Sequence, residues 1–292
     1  MKQTLIIISL LLIVNGIFAQ DIAAKLEQLV EENGKGYIKP FVTAFGSNLN
    51  SGLYSTADVL KPSVIRPVRF ALDFKAMVAF VPDEDLTFEA VNVDGSTVET
   101  ATVFGDKGAE FMGEQIYPNG ANFNMIPLVV PQLRVGVPFG NELMVRFIPA
   151  TEIDKVGDLS FWGAGIKHSI DQYIPLFPVH LAVQGTYQQL SVGDMLEVTS
   201  WALNAQVSKS FLMLTLYGGV GLEETNLTAK YDYIPDENDP DNKIPVKFEL
   251  TGDNNLRATA GFRWALLPFI HLNADYSIAA HNVASAGLSL SF

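Results

Sequence analysis

The chain has 292 residues, 48% of them apolar and 17% charged, with 19 Lys and Arg against 32 Asp and Glu. That apolar share excludes a disordered chain. The absence of cysteine excludes disulfide frameworks, thiolate metal sites, cysteine nucleophiles and diacylated lipoproteins, and a formal charge of −13 argues against nucleic-acid binding, which needs a basic surface.

Lys2 is the only charge in the first twenty positions, and Leu5 to Val14 is an apolar run broken only by Ser9. This is the pattern of a secretory signal peptide over residues 1–20, with cleavage expected after Ala19 or Gln20. The run falls short of the ~20 residues that a spanning helix needs. No later apolar stretch reaches that length, so a mature chain that enters a membrane must do so as a β-barrel.

Residues 21–65 read as a short helix followed by irregular chain. Asp21 can cap a helix in which Ile22, Leu26, Leu29 and Val30 share a face, and Asn33-Gly34 is expected to end it. Tyr37 to Ala57 mixes aromatics with Gly, Asn and Ser and has no sustained period. Such a segment ahead of a barrel has two readings, a plug inside the lumen or a periplasmic tail.

From residue 66 to 292 the pattern has period two, which sends successive side chains to opposite faces of a strand. Val68, Phe70, Leu72, Phe74, Ala76, Val78 and Phe80 alternate with Arg69, Asp73 and Lys75. Segments of the same kind follow at 132–137, 142–147, 162–170, 179–188, 200–208, 212–220, 256–264, 270–278 and 284–292, which makes ten strands. An even count suits a single-chain outer-membrane barrel. Inner-side turns are expected at Pro138 to Asn141, Gln172 to Pro178, Lys209 to Ser210 and Leu266 to Pro268. Two long acidic connections, Pro82 to Asn124 and Glu223 to Asn254, each hold a weaker alternating pair. Those pairs are hairpins above the membrane, or they raise the count to 12 or 14.

Aromatic position separates this fold from a soluble sandwich. Phe80, Trp162, Tyr187, Trp201 and Tyr276 fall toward one rim, and Phe211, Trp264, Phe269 and Phe292 toward the other. Two belts are what a lipid-facing surface requires. The expected fold is therefore an all-β antiparallel transmembrane barrel with a short N-terminal helical or irregular segment.

The lumen faces carry Arg69, Lys75, Arg134, Arg146, Lys167, Arg257 and Arg263 against Asp73, Glu142 and Asp275, together with His180 and His271. That is a basic excess of four inside an acidic chain. The excess is suited to acids on a plug helix (Asp21, Glu27, Glu31 and Glu32) or to an anionic or amphiphilic solute. Leu288, Leu290 and Phe292 form the terminal aromatic pattern expected of a substrate of the barrel-assembly machinery.

With those residues in view, Tyr37 to Phe41, Asn50 to Ala57, Gly163 to Pro175 and Pro178 to Gln188 resemble a family of outer-membrane barrels of Bacteroidota and related bacteria that has no assigned activity. More distantly, a plug segment ahead of a barrel looks like the long-chain fatty acid transporters of the outer membrane. That resemblance is architectural and carries no ligand motif.

Catalytic and metal chemistry is not legible. His168, His180, His271 and His281 lack zinc-ligand spacing. Asp236, Asp239 and Asp241 offer oxygens for calcium without the order of an EF-hand, so a solvated loop is the plainer reading. No Ser-His-acid set is apparent and no cofactor is implied. The expected function is a passive outer-membrane channel or transporter for small solutes, with outer-membrane lipid and the assembly machinery as partners. The rival is a non-transporting barrel whose acidic outer loops bind a partner.

Overall fold

The computed structural model describes residues 22, 25–64, 67–153, 157–233 and 243–292. The expected signal peptide, Asp21 and the calcium candidates Asp236, Asp239 and Asp241 lie outside these residues.

A helix, α1 (Glu31–Leu49), precedes β1 (Arg69–Phe80). The first long connection holds two hairpins, β2 (Thr87–Val91) with β3 (Thr97–Ala101) and β4 (Glu110–Phe111) with β5 (Glu114–Gln115). There follow β6 (Met125–Val137), β7 (Asn141–Ile153), β8 (Gly157–Ser169), β9 (His180–Val192), β10 (Leu196–Phe211) and β11 (Leu214–Tyr233). The chain ends with β12 (Ile244–Thr251), β13 (Leu256–Leu267), β14 (Ile270–Ile278) and β15 (Asn282–Ser291).

Ten of these strands close into one antiparallel ring, because β1 pairs with both β6 and β15 while β11 pairs with both β10 and β13. β12 is not part of the ring. It pairs only with residues 226–233 of β11, above the level where β13 leaves. Both weak alternating pairs are thus hairpins or strand extensions beyond the wall, and the spanning count is ten. The turn expected at Lys209 to Ser210 lies three residues later, at Leu212 and Met213, because Phe211 still pairs with Leu214 and Leu212 takes the positive φ of the turn.

The wall is inside out relative to a soluble barrel. Asp73, Lys75, Arg146 and Lys167 are fully buried in the lumen, whereas Val220 is 58% exposed and Leu203 53% on the outer surface. Along β10 the two belt residues Trp201 and Phe211 are ten positions apart. At a rise of about 3.4 Å per residue and a tilt of about 40°, they are separated by roughly 26 Å, the height of an outer-membrane apolar band.

The helix departs from its expected limits. Asn33 and Gly34 do not end a helix; they lie in the first turn of α1, which runs on through Pro40 to Leu49. Gly34, Gly36 and Gly46 are poor helix formers, but each faces the wall or cap so closely that a side chain would collide. A Cβ on Gly36 would lie 2.3 Å from the Phe88 ring, and one on Gly46 2.2 Å from Thr225 Oγ1. Packing therefore overrides local propensity here. Beyond Asn50 the chain descends through the lumen without regular structure and leaves at the short-turn end to begin β1.

At the long-loop end the inside of the barrel is apolar. Tyr37, Ile38, Phe41, Val42 and Phe45 of α1 share one core with Phe104 of the first long connection and with Leu227, Tyr231 and Phe248 of β11 and β12.

Leu214 begins β11 beside the turn, at the membrane interface, while Val220 lies midway between the belts. An Arg at Val220 should destabilise the barrel by roughly 2–4 kcal/mol, and one at Leu214 by about 0–1 kcal/mol. Equilibrium unfolding in lipid vesicles measures both, and equal losses would contradict this placement of the bilayer.

Candidate functional site: the plugged lumen

A helix ends with carbonyl oxygens that have no partner within it and with a partial negative charge. α1 brings that end to the middle of the lumen, and its own last turn contains no basic residue. The wall supplies the donors. Arg146 Nη1 donates to Leu49 O at 2.8 Å and its Nη2 to Ser51 O at 2.9 Å, while Gln188 Nε2 donates to Leu49 O at 2.9 Å. From the opposite side Arg257 Nη2 donates to Ser47 O at 2.6 Å and Nη1 to Ser51 Oγ at 2.7 Å.

Lower down, Lys167 Nζ donates to Thr56 O and Asp58 O, and Ser208 Oγ accepts from Ala57 N. Asn50 Nδ2 donates to Ser200 Oγ at 2.9 Å. The bases of β7, β8 and β13 thus hold the internal segment through its backbone. This corrects the expectation that acids on the helix would pair with them. Glu31 instead pairs with Lys35 at 2.5 Å on an exposed face, and Glu27 and Glu32 sit at the long-loop end, away from the lumen bases.

Other charges in the middle of the lumen are held through the wall itself. Asp73 accepts from Arg134 Nε at 2.6 Å, from Gln132 and from Ser289; Arg134 also reaches Glu142 at 3.3 Å, and Lys167 pairs with Glu142 at 2.9 Å. Asp275 accepts from Tyr217 Oη at 2.7 Å, and Lys75 Nζ donates to Asn273 at 2.8 Å. Glu223 is a lumen residue that the sequence reading assigned to an outer loop. It takes Arg257 Nε at 2.9 Å. The period-two pattern of Val220 and Leu222 carries straight on to it, which is the signal that would have found it. With Glu223 inside, the basic excess is three rather than four.

Of the other sequence candidates, Arg69, Arg263 and His271 gather at the short-turn mouth, apart from the network. His180 sits there too and pairs with Asp171 at 3.0 Å. Burial works against the charge of Asp171, but hydrogen bonds from Ser169 and His180 outweigh it and hold this carboxyl below its usual range. Phe292 lies on the outer surface, where its ring stacks on Phe70 at 5.2 Å and its backbone exchanges hydrogen bonds with Phe70. Among the described residues no three His, Cys, Asp or Glu side chains gather as metal ligands.

Breaking one partner of a buried pair leaves the other charged and unsolvated. Arg257→Met should therefore cost about 3–5 kcal/mol, and the added change Glu223→Met should recover part of that loss. A double-mutant cycle in urea measures the coupling. Strictly additive losses would show that the two side chains do not depend on each other.

No curated protein matches the chain. Among solved structures it is similar to outer-membrane barrels at low identity. The attachment invasion locus protein Ail of Yersinia pestis is 10% identical over 77% of this chain and 98% of its own, with a TM-score of 0.27. The translocator domain of the autotransporter NalP from Neisseria meningitidis is 10% identical over 89% and 95%, with a TM-score of 0.35. The toluene transporter TodX of P. putida is 11% identical over 85% and 76%, with a TM-score of 0.29. The model of a family of unknown function, DUF6588, matches residues 1–292, and the chain belongs to that family.

Proposed function

We propose that the protein is a bacterial outer-membrane barrel that is closed to solutes at rest and works by presenting its long-loop end to a partner. The observation that carries this reading is the apolar core between α1 and the cap. Ile22, Leu26, Tyr37, Ile38, Phe41, Val42, Phe45 and Leu49 of the internal segment are each at most 8% exposed. At roughly 1.5–3 kcal/mol for each buried side chain, withdrawing the segment would cost more than ~10 kcal/mol. A solute bound at micromolar affinity supplies only about 8 kcal/mol. The magnitudes weigh against the passive channel expected from sequence, and the bases in the middle of the lumen that would have selected anions are occupied by the segment's carbonyls, by wall acids and by Asn273.

The cap has the character of a recognition surface. Residues 82–124 hold nine acids and a single base, Lys107. Asp83, Glu84, Glu89, Asp94 and Glu99 are exposed, with Val93 at a hairpin tip and Met112 bare among them. A partner with a basic face and an apolar contact would complement it. Short turns of such barrels face the periplasm and long loops face outward, which puts this cap outside the cell.

In planar bilayers the purified protein should show no unitary conductance, and discrete wild-type steps would overturn the closed reading. A peptide tag inserted between Asp94 and Gly95, the open tip of the β2–β3 hairpin, should be labelled on intact cells. Labelling only after lysis would reverse the proposed sidedness.

The C-terminal strand carries the proposed assembly signal. Deleting Phe292 removes its ring from Phe70, and heat-modifiable folded barrel in the outer membrane should fall while export across the inner membrane continues. Unchanged insertion would assign Phe292 a local packing role alone.

A further inference from the structure

We propose that the short-turn mouth of the barrel is a binding site for a phosphate group. A cavity of about 380 Å³ opens there below the internal segment, with Arg69, Arg134, Arg263, His271 and Ser291 in its lining. Among the described residues, Arg263 Nε, His271 Nδ1 and Ser291 Oγ are each buried atoms with no hydrogen-bond partner. They come from the neighbouring strands β13, β14 and β15. Arg263 pairs in register with Asn273, and His271 with Ser289, so the three lie on one stretch of wall.

The basic residues lining this mouth outnumber its one acid. Arg134 is neutralised by Asp73 and Glu142, and the cavity's one acid, Asp58, lies 3.5 Å from Lys61 at an exposed position. Arg69 Nε reaches the Phe292 carbonyl. Among the described residues Arg263 has no carboxylate within salt-bridge distance. A half-buried cation without a counter-ion carries a desolvation cost, and water would satisfy its hydrogen bonds but not its charge. An oxyanion satisfies both. Several donors lining one cavity suit the multiple oxygens of a phosphate, and guanidinium groups favour such oxygens.

Above the cavity the lumen is filled, so the ligand would bind at a dead end and not pass through. Two sources offer the same chemistry, free phosphate and the phosphomonoester headgroup of a lipid in the facing leaflet.

The test is isothermal titration of the full refolded chain in a zwitterionic detergent with no phosphate in the buffer. One arm uses inorganic phosphate and the other short-chain phosphatidic acid. Binding of inorganic phosphate identifies a free anion site, and binding of the lipid alone identifies a headgroup site; either supports the proposal if Arg263→Gln weakens it about tenfold or more. Lys107→Gln, remote in the cap, should leave affinity unchanged. Should Arg263→Gln fail to fold, Ser291→Ala removes a donor from a small side chain and should weaken binding several-fold. Absence of binding by both probes, or full binding by these mouth variants, overturns the proposal.

Discussion

Arg146 and Arg257 grip the carbonyl end of α1 in the middle of the barrel, and much of the interior is arranged around that contact. A helix terminus placed in a space shut off from bulk water must find donors or lose several kcal/mol of hydrogen bonding. Guanidinium groups are well suited to the task because one side chain can reach two oxygens. Their charge also complements the negative end of the helix dipole. An acidic protein thus has a basic lumen for a structural reason: Arg146, Lys167 and Arg257 answer backbone oxygen, Arg134 and Lys75 answer side chains of the wall, and only the excess near the mouth is left to answer something else.

The interior divides at that level. Toward the long loops, α1 meets apolar side chains and the barrel is filled as a soluble domain is filled. Toward the short turns, the irregular chain after Asn50 packs Leu53 and Tyr54 in a small cluster with Met144, Ala202 and Tyr217 and otherwise meets Ser, Thr, Gln and charged side chains, and hydrogen bonds to the segment do much of the holding. The division follows from the conformation of the segment. A helix satisfies its own amides and can be wrapped in hydrocarbon, whereas an irregular chain exposes amides that the wall must meet.

This division also bears on function. A gate must have two arrangements of comparable free energy, and the apolar half of the segment offers no second place for its side chains except water. The exposed acidic cap and the unpaired mouth are different in kind. Both carry an excess of one sign of charge, nine acids to one base in residues 82–124 and an Arg263 without a carboxylate partner among the described residues, and they lie at opposite ends of a closed wall.

Much of this architecture was legible in the residues. Ten period-two segments fell on the ten strands that close the ring, and the identity of the lipid and lumen faces followed from the alternation, because a one-residue slip would put Asp73 or Arg146 into lipid. The sorting of Trp201 and Phe211 to different levels marked the membrane. The limits of α1 were not legible: Asn33-Gly34 and Pro40 are local signals against a helix, and only contacts such as Gly36 against Phe88 and Gly46 against Thr225 overrule them. Nor could sequence say that Arg257 belongs with Glu223 or that Arg146 caps Leu49, since these partners are far apart in the chain and meet only when the ring closes. The ten period-two segments and their facing were determined by the sequence alone because side-chain alternation is a local property, whereas the exclusion of the weaker pairs from the ring was decided by strand pairing. Charge pairing, the path of the internal segment and the lone Arg263 were decided by tertiary structure, because they depend on what closure brings within hydrogen-bond reach.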